Sequence, residues 1–141
     1  MQVGNTFPID KLINPKGKLF LDGSAYTVVY FYPKDDTPGC TIEANEFQAL
    51  KSTYDARHIR ILGVSVDEAD SHAAFCEKFS LAFELATDKG GVLGQELGIM
   101  KGVVHQRVTY VLDSHGKIAL FYPEVKPANH AQQVLDDISK L

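Results

Sequence analysis

The chain has 141 residues, with 14 Lys and Arg against 18 Asp and Glu for a net charge of −4. A hydrophobic share of 45% and a charged share of 23% exclude a disordered chain, and no apolar run approaches the ~18 residues that a membrane span requires. The acidic balance, with Arg57, Arg60 and Arg107 as the arginines, argues against nucleic-acid binding, and the opening MQVGNTFPIDK lacks the basic start and apolar stretch of a signal peptide, so a cytoplasmic protein is expected.

Residues 1–24 are turn-rich, broken by Pro8, Asn14-Pro15, Gly17 and Asp22-Gly23, with short strands expected at 7–12 and 18–21. Tyr26 to Tyr32 (YTVVYFY) is β-branched and aromatic on both faces, which suits a buried central strand. Pro33 ends it. Thr37 is a good N-cap and Pro38 suits a first helical turn, so a helix is expected over about 38–55, with Cys40, Phe47, Leu50 and Tyr54 on one side. Ile59 to Val66 reads as a second buried strand, and Asp67 to Ser80 as a helix whose apolar face includes Ala69, Ala73, Phe75, Cys76 and Phe79. Ala82 to Ala86 is a short extended piece, and Gly90 to Leu97 a small helix stopped by Gly98. Arg107 to Leu112 and Lys117 to Tyr122 form a hairpin around DSHG, and a last helix covers about 128–140.

The size implies a folded surface of roughly 7,200 Å², enough for one core, so residues 1–141 are read as one domain. The order β-α-β-α, hairpin, α resembles a thioredoxin-like α/β fold: a mixed central sheet flanked by helices, parallel early and antiparallel late, behind an N-terminal extension. Two cysteines 36 positions apart, Cys40 and Cys76, make neither a disulfide scaffold nor a zinc cluster. In a reducing compartment they are inert packing or redox chemistry.

The segment PKDDTPGCT, residues 33–41, favours redox chemistry. Cys40 falls in the first turn of a helix, where unpaired backbone N–H groups and the positive helix end favour a thiolate. An ordinary thiol is about 3% ionised at neutral pH, so full ionisation adds at most ~30-fold, or about 2 kcal/mol. Selectivity then needs donors aimed at a leaving atom. The Thr37 hydroxyl lies one turn before the sulfur, and Arg107 opens a strand expected beside the central one. Around an O–O bond that breaks with charge growing on the departing oxygen, these groups form an oxyanion site.

The same segment, within YFYPKDDTPGCTIEANEF, resembles the peroxidatic signature of the peroxiredoxins, and most of all their Q-type branch, the bacterioferritin comigratory proteins. The resemblance continues through GVSVDEADSHAAFCEKFSLAFELATD and RVTYVLDSHGKI. It implies a thiol peroxidase acting on hydrogen peroxide and organic hydroperoxides. Cys40 would be the peroxidatic cysteine, with Thr37 and Arg107 as activators and Pro33 shielding the sulfur. Gly39 and Glu43, the latter at an acidic position of this branch, complete the expected peroxide site. Many Q-type members carry a second cysteine where this chain has Asn45; the other pattern places the resolving cysteine on the following helix, where Cys76 stands. The resemblance then implies an intramolecular disulfide, reopened by thioredoxin or a similar dithiol, in a protein that is often a monomer. Because a disulfide needs Cα atoms within about 7 Å, one or both helices are expected to unwind on oxidation.

The other readings are weaker. Cys40 and Cys76 as packing thiols, Thr37 as a cap alone and Arg107 as a surface ion pair each leave the joint pattern unexplained. A general disulfide oxidoreductase needs a C-x-x-C pair, but position 37 is threonine, and VVHQ at 103–106 lacks the proline found before the matching strand of thioredoxins. A binding module that has lost chemistry predicts loss of the cysteine, threonine or arginine. His72 and Cys76 are spaced i, i+4, as a metal site begins, but no paired cluster completes it; Gly90, Gly91 and Gly94 fit no phosphate loop. No metal or other cofactor is expected.

Overall fold

A computed structural model describes residues 1–141. Its elements in chain order are β1 (Ile13–Asn14), β2 (Gly17–Lys18), β3 (Tyr26–Phe31), α1 (Pro38–Ala49), α2 (Lys51–Ala56), β4 (Ile59–Ser65), α3 (Ala69–Phe79), β5 (Glu84–Thr87), α4 (Val92–Leu97), β6 (Met100–Lys101), β7 (Val104–His105), β8 (Val108–Asp113), β9 (Ile118–Tyr122) and α5 (His130–Ile138). Seven strands form one sheet in the order β2-β1-β5-β4-β3-β8-β9. β3 pairs parallel with β4 and β4 with β5, whereas β8 and β9 are antiparallel, so the mixed sheet is the expected one.

Alternation along β3 divides the interior. Val28, Tyr30 and Tyr32 enter a cluster with Cys40, Phe47, Tyr54, Phe75 and Val134, under α1, α2, α3 and α5. Val29 and Phe31 enter a second cluster with Phe7, Leu12, Leu93, Leu97 and Tyr110, under α4 and the N-terminal segment. The two crossovers from β3 to β4 and from β4 to β5 step in one direction across the sheet. Right-handed connections therefore place α1, α2 and α3 on the same face.

Three expectations needed correction. No strand forms at 7–12, and at 18–21 only Lys18 belongs to one; Ile9–Lys11 is a 3₁₀ turn, and the N-terminal strands are the two-residue pieces β1 and β2. The segment anchors instead through Phe7, Ile9, Leu12 and Leu19, apolar spacing without the continuous pairing a strand requires. The helix expected over 38–55 is two helices, because Leu50 leaves helical geometry at φ −99° and ψ 3°. After that break Tyr54 is fully buried, its hydroxyl donating to the Ala131 carbonyl at 2.7 Å. The small hairpin of β6 and β7 was not anticipated, two residues per strand being too short for periodicity. No helix is long and apolar enough to cross a membrane.

Candidate active site

The central strand delivers the chain to one end of the sheet, where the 33–37 loop turns into α1. Pro38 and Gly39 fill the first two helical positions and Cys40 the third, with its side chain turned into the core and only 1% exposed. Phe31 at the end of β3 stands opposite Val108 at the start of β8. Arg107, one residue earlier, is thereby carried to the same end of the sheet as Cys40. Its Nη2 donates to the Cys40 Sγ at 3.4 Å and its Nη1 to Glu43 Oε1 at 2.7 Å. One fixed fork of donors thus joins two residues of consecutive turns of α1.

Each partner explains a sequence feature. A β-carbon on Gly39 would lie 3.0 Å from Arg107 Nη2, so glycine leaves the space the guanidinium occupies. Glu43 is wholly buried and its Oε2 has no hydrogen-bond partner. Burial pushes its carboxyl up to about 7, against the pull of Arg107. Burial works against the Arg107 charge, but Glu43 and Cys40 outweigh it and hold the guanidinium protonated. Pro33 and Arg107 line an open cleft of about 380 Å³ with Pro123 and Val125.

Thr37 takes the N-cap position without the capping bond expected of it; its hydroxyl donates to the Lys34 carbonyl at 2.9 Å and closes the loop instead. Cys76 is half-buried on α3, beside a cavity of about 290 Å³ shared with His72, Ala73, Phe83 and Leu85. Burial, and then Asp35, push its thiol up. The sulfurs of Cys40 and Cys76 are not bonded to each other. Four expected residues, Thr37, Gly39, Cys40 and Glu43, come together on one loop and helix, and Arg107 joins them across the sheet.

Residues 16–121 match the AhpC/TSA family. The chain is a peroxiredoxin of the Q-type, or Bcp, branch. It is 34% identical to a putative Bcp peroxiredoxin of Coxiella burnetii, over 96% of this chain and 97% of that one. Its structure is similar to a cysteine-to-serine mutant of PrxQ from Xylella fastidiosa, with a TM-score of 0.88, 28% identity, and coverage of 99% and 96% of the two chains. It is also similar to the Xanthomonas campestris bacterioferritin comigratory protein, which has alkyl peroxide reduction activity, at a TM-score of 0.78 and 36% identity over 85% and 80%. The thioredoxin-like fold of this peroxiredoxin is that of its relatives.

Reading the sequence missed one group beside the site. Asp35, in the loop before Cys40, binds buried Tyr32 and His72 and, at the surface, Ser71. The i, i+4 spacing of His72 and Cys76 has the form of a metal half-site; His72 turns instead to Asp35, 37 residues away, a pairing that no local pattern encodes.

Proposed function

We propose that this peroxiredoxin, acting through the whole of residues 1–141 as one domain, reduces hydrogen peroxide and organic hydroperoxides with Cys40 as the attacking sulfur. The Arg107 guanidinium 3.4 Å from that sulfur carries the reading. A Cys40 thiolate attacks the terminal oxygen of the peroxide. The S–O bond forms as the O–O bond breaks; sulfur is oxidised to sulfenic acid, and the expelled oxygen takes a proton to become water or alcohol. Arg107 stabilises the charge growing on that oxygen, and Glu43 holds the guanidinium in place. The Thr37 oxygen, its proton engaged by Lys34, offers lone pairs to the peroxide hydroxyl. Pro33 walls the cleft that takes the organic group.

Cys76 then resolves the sulfenic acid. Its thiol displaces the hydroxyl as water and leaves a Cys40–Cys76 disulfide, which a thioredoxin-like dithiol reopens by exchange. Cys40 is buried in the core under α1 and is not bonded to Cys76, which packs against the edge of that core from α3, so α1, α3 or both unwind locally to join them. The enzyme works as a monomer in the cytoplasm. The deciding experiment is steady-state peroxide consumption by Cys40→Ser beside the unsubstituted enzyme. Activity is expected to vanish; equal activity overturns the assignment. Intact mass after one equivalent of peroxide should show loss of two hydrogens and a Cys40–Cys76 crosslink, whereas persistent oxygen addition removes the resolving role from Cys76.

A further inference from the structure

The loop that precedes Cys40 is tied to the helix that carries Cys76 by a buried polar cluster that the chemistry above does not use. Asp35 Oδ1 accepts from the Tyr32 hydroxyl at 2.5 Å, and Oδ2 accepts from Ser71 Oγ at 2.8 Å and meets His72 Nδ1 at 2.8 Å. The other ring nitrogen, Nε2, lies 3.0 Å from the Ala86 carbonyl on β5, so His72 is anchored on both sides. The side chains of His72 and Asp35 are 7% and 3% exposed. The Asp35 backbone N–H is itself held by Asp67, ahead of α3, at 2.8 Å. Burial pushes the Asp35 carboxyl up, but His72 and Tyr32 outweigh it and hold it ionised. An exposed pair, Lys78 with Asp36 at 2.8 Å, runs parallel to the buried one and adds little.

His72 stands one helical turn before Cys76 and Asp35 five residues before Cys40. Neither is hydrogen-bonded to a cysteine sulfur, yet α3 and the loop cannot separate while they remain bonded. We propose that the Asp35–His72 pair is a clasp that holds α3 against the 33–37 loop while peroxide reacts, and whose release sets the rate at which Cys76 reaches the Cys40 sulfenic acid. The inference rests on the resolving role proposed for Cys76. Asp35 and His72 are positioning residues: they act on the opening that precedes disulfide formation and not on peroxide attack. Slow opening also lengthens the life of the sulfenic acid, during which a second peroxide can carry it to sulfinic acid.

The test follows reduced enzyme mixed with peroxide and quenched at successive times, with sulfenic acid trapped by a dimedone-type nucleophile and disulfide read by intact mass. Asp35→Asn, His72→Gln and the double variant are compared with the unsubstituted enzyme. Losing a charge-assisted buried bond corresponds to about tenfold in the opening equilibrium. Each single variant should therefore form disulfide about tenfold faster and less sulfinic acid, with the rate of sulfenic acid formation changed by less than about twofold. The double variant should be no faster than the quicker single, because both remove one interaction. Hydrogen exchange of reduced enzyme gives a readout independent of activity: amides of 72–79 should exchange faster while those of β3 and β4 do not. Ser71→Ala, at an exposed position, keeps the test available if a buried variant fails to fold, and should accelerate resolution by about two- to threefold. Unchanged or slower resolution in the variants, with normal resolution in the unsubstituted enzyme, overturns the clasp alone. Absence of sulfenic acid in the unsubstituted enzyme overturns the peroxidase reading, and sulfenic acid without disulfide overturns the resolving role and the clasp together.

Discussion

At Arg107 one side chain answers two demands. In the chemistry proposed for this site the guanidinium must present a donor to the sulfur and keep its plane fixed, and the second arm on Glu43 does the fixing. Lysine has charge but no fork. Arg107→Lys is therefore expected to lower kcat/KM for peroxide by about 100-fold, the scale of losing one oyxanion donor, as measured by competition for peroxide or by stopped flow. Glu43 sets a pH dependence of stability. Its folded-state carboxyl titrates near 7, above its ordinary value of 4.5, so between those limits the native protein holds a proton that the unfolded chain has lost. The Glu43 contribution to stability therefore falls as pH rises through this window, by at most about 3 kcal/mol. Glu43→Gln should remove that slope; urea unfolding at pH 5 and pH 7.5 of both proteins checks it, and parallel curves would count against the assignment. Cys40 and Thr37 were legible in the sequence because they lie three positions apart at one helix start, and Gly39 and Glu43 through the resemblance. Arg107 was legible through the resemblance and through the expected pairing of its strand. The Glu43–Arg107 bond was not, since the two are 64 residues apart and only the sheet brings them together.

Among the elements, α3 is built to end sharply. Leu81 N donates to the Cys76 carbonyl and Ser80 N to the Glu77 carbonyl, the paired bonds of a Schellman ending, with Ser80 left-handed at φ 53° and ψ 44°. A serine β-carbon is strained there and glycine is not. Ser80→Gly is expected to stabilise the protein by about 0.5–1 kcal/mol, raising the urea midpoint without changing the slope. The strands that periodicity located well, β3 and β4, are apolar on both faces because both are covered. The N-terminal pieces and the break at Leu50 escaped it. The former are held by scattered side-chain burial, and the latter contains no proline or glycine to mark it.

For the whole molecule, the sheet is one layer between two cores, and each of β3, β4 and β8 sends alternate side chains into both. Neither core can be lost while the sheet stays intact, so unfolding should be cooperative. Far-ultraviolet circular dichroism and fluorescence of the six tyrosines are expected to give coincident urea transitions; separate midpoints would show that one face melts alone. The folded surface of 7176 Å² agrees with the value expected from chain length, because that quantity depends on mass and compactness and not on topology. What the amino-acid sequence determined by itself was local: the buried strands by their apolar runs, the helix that presents Cys40 by its start signals, and the family by a contiguous motif. Tertiary structure alone decided which distant groups meet. The Arg107 bond to Glu43, the cleft beside Pro33, and the Asp35–His72 pair are products of strand order and crossover hand, and a linear pattern carries no distance between residues that the chain brings together only by folding.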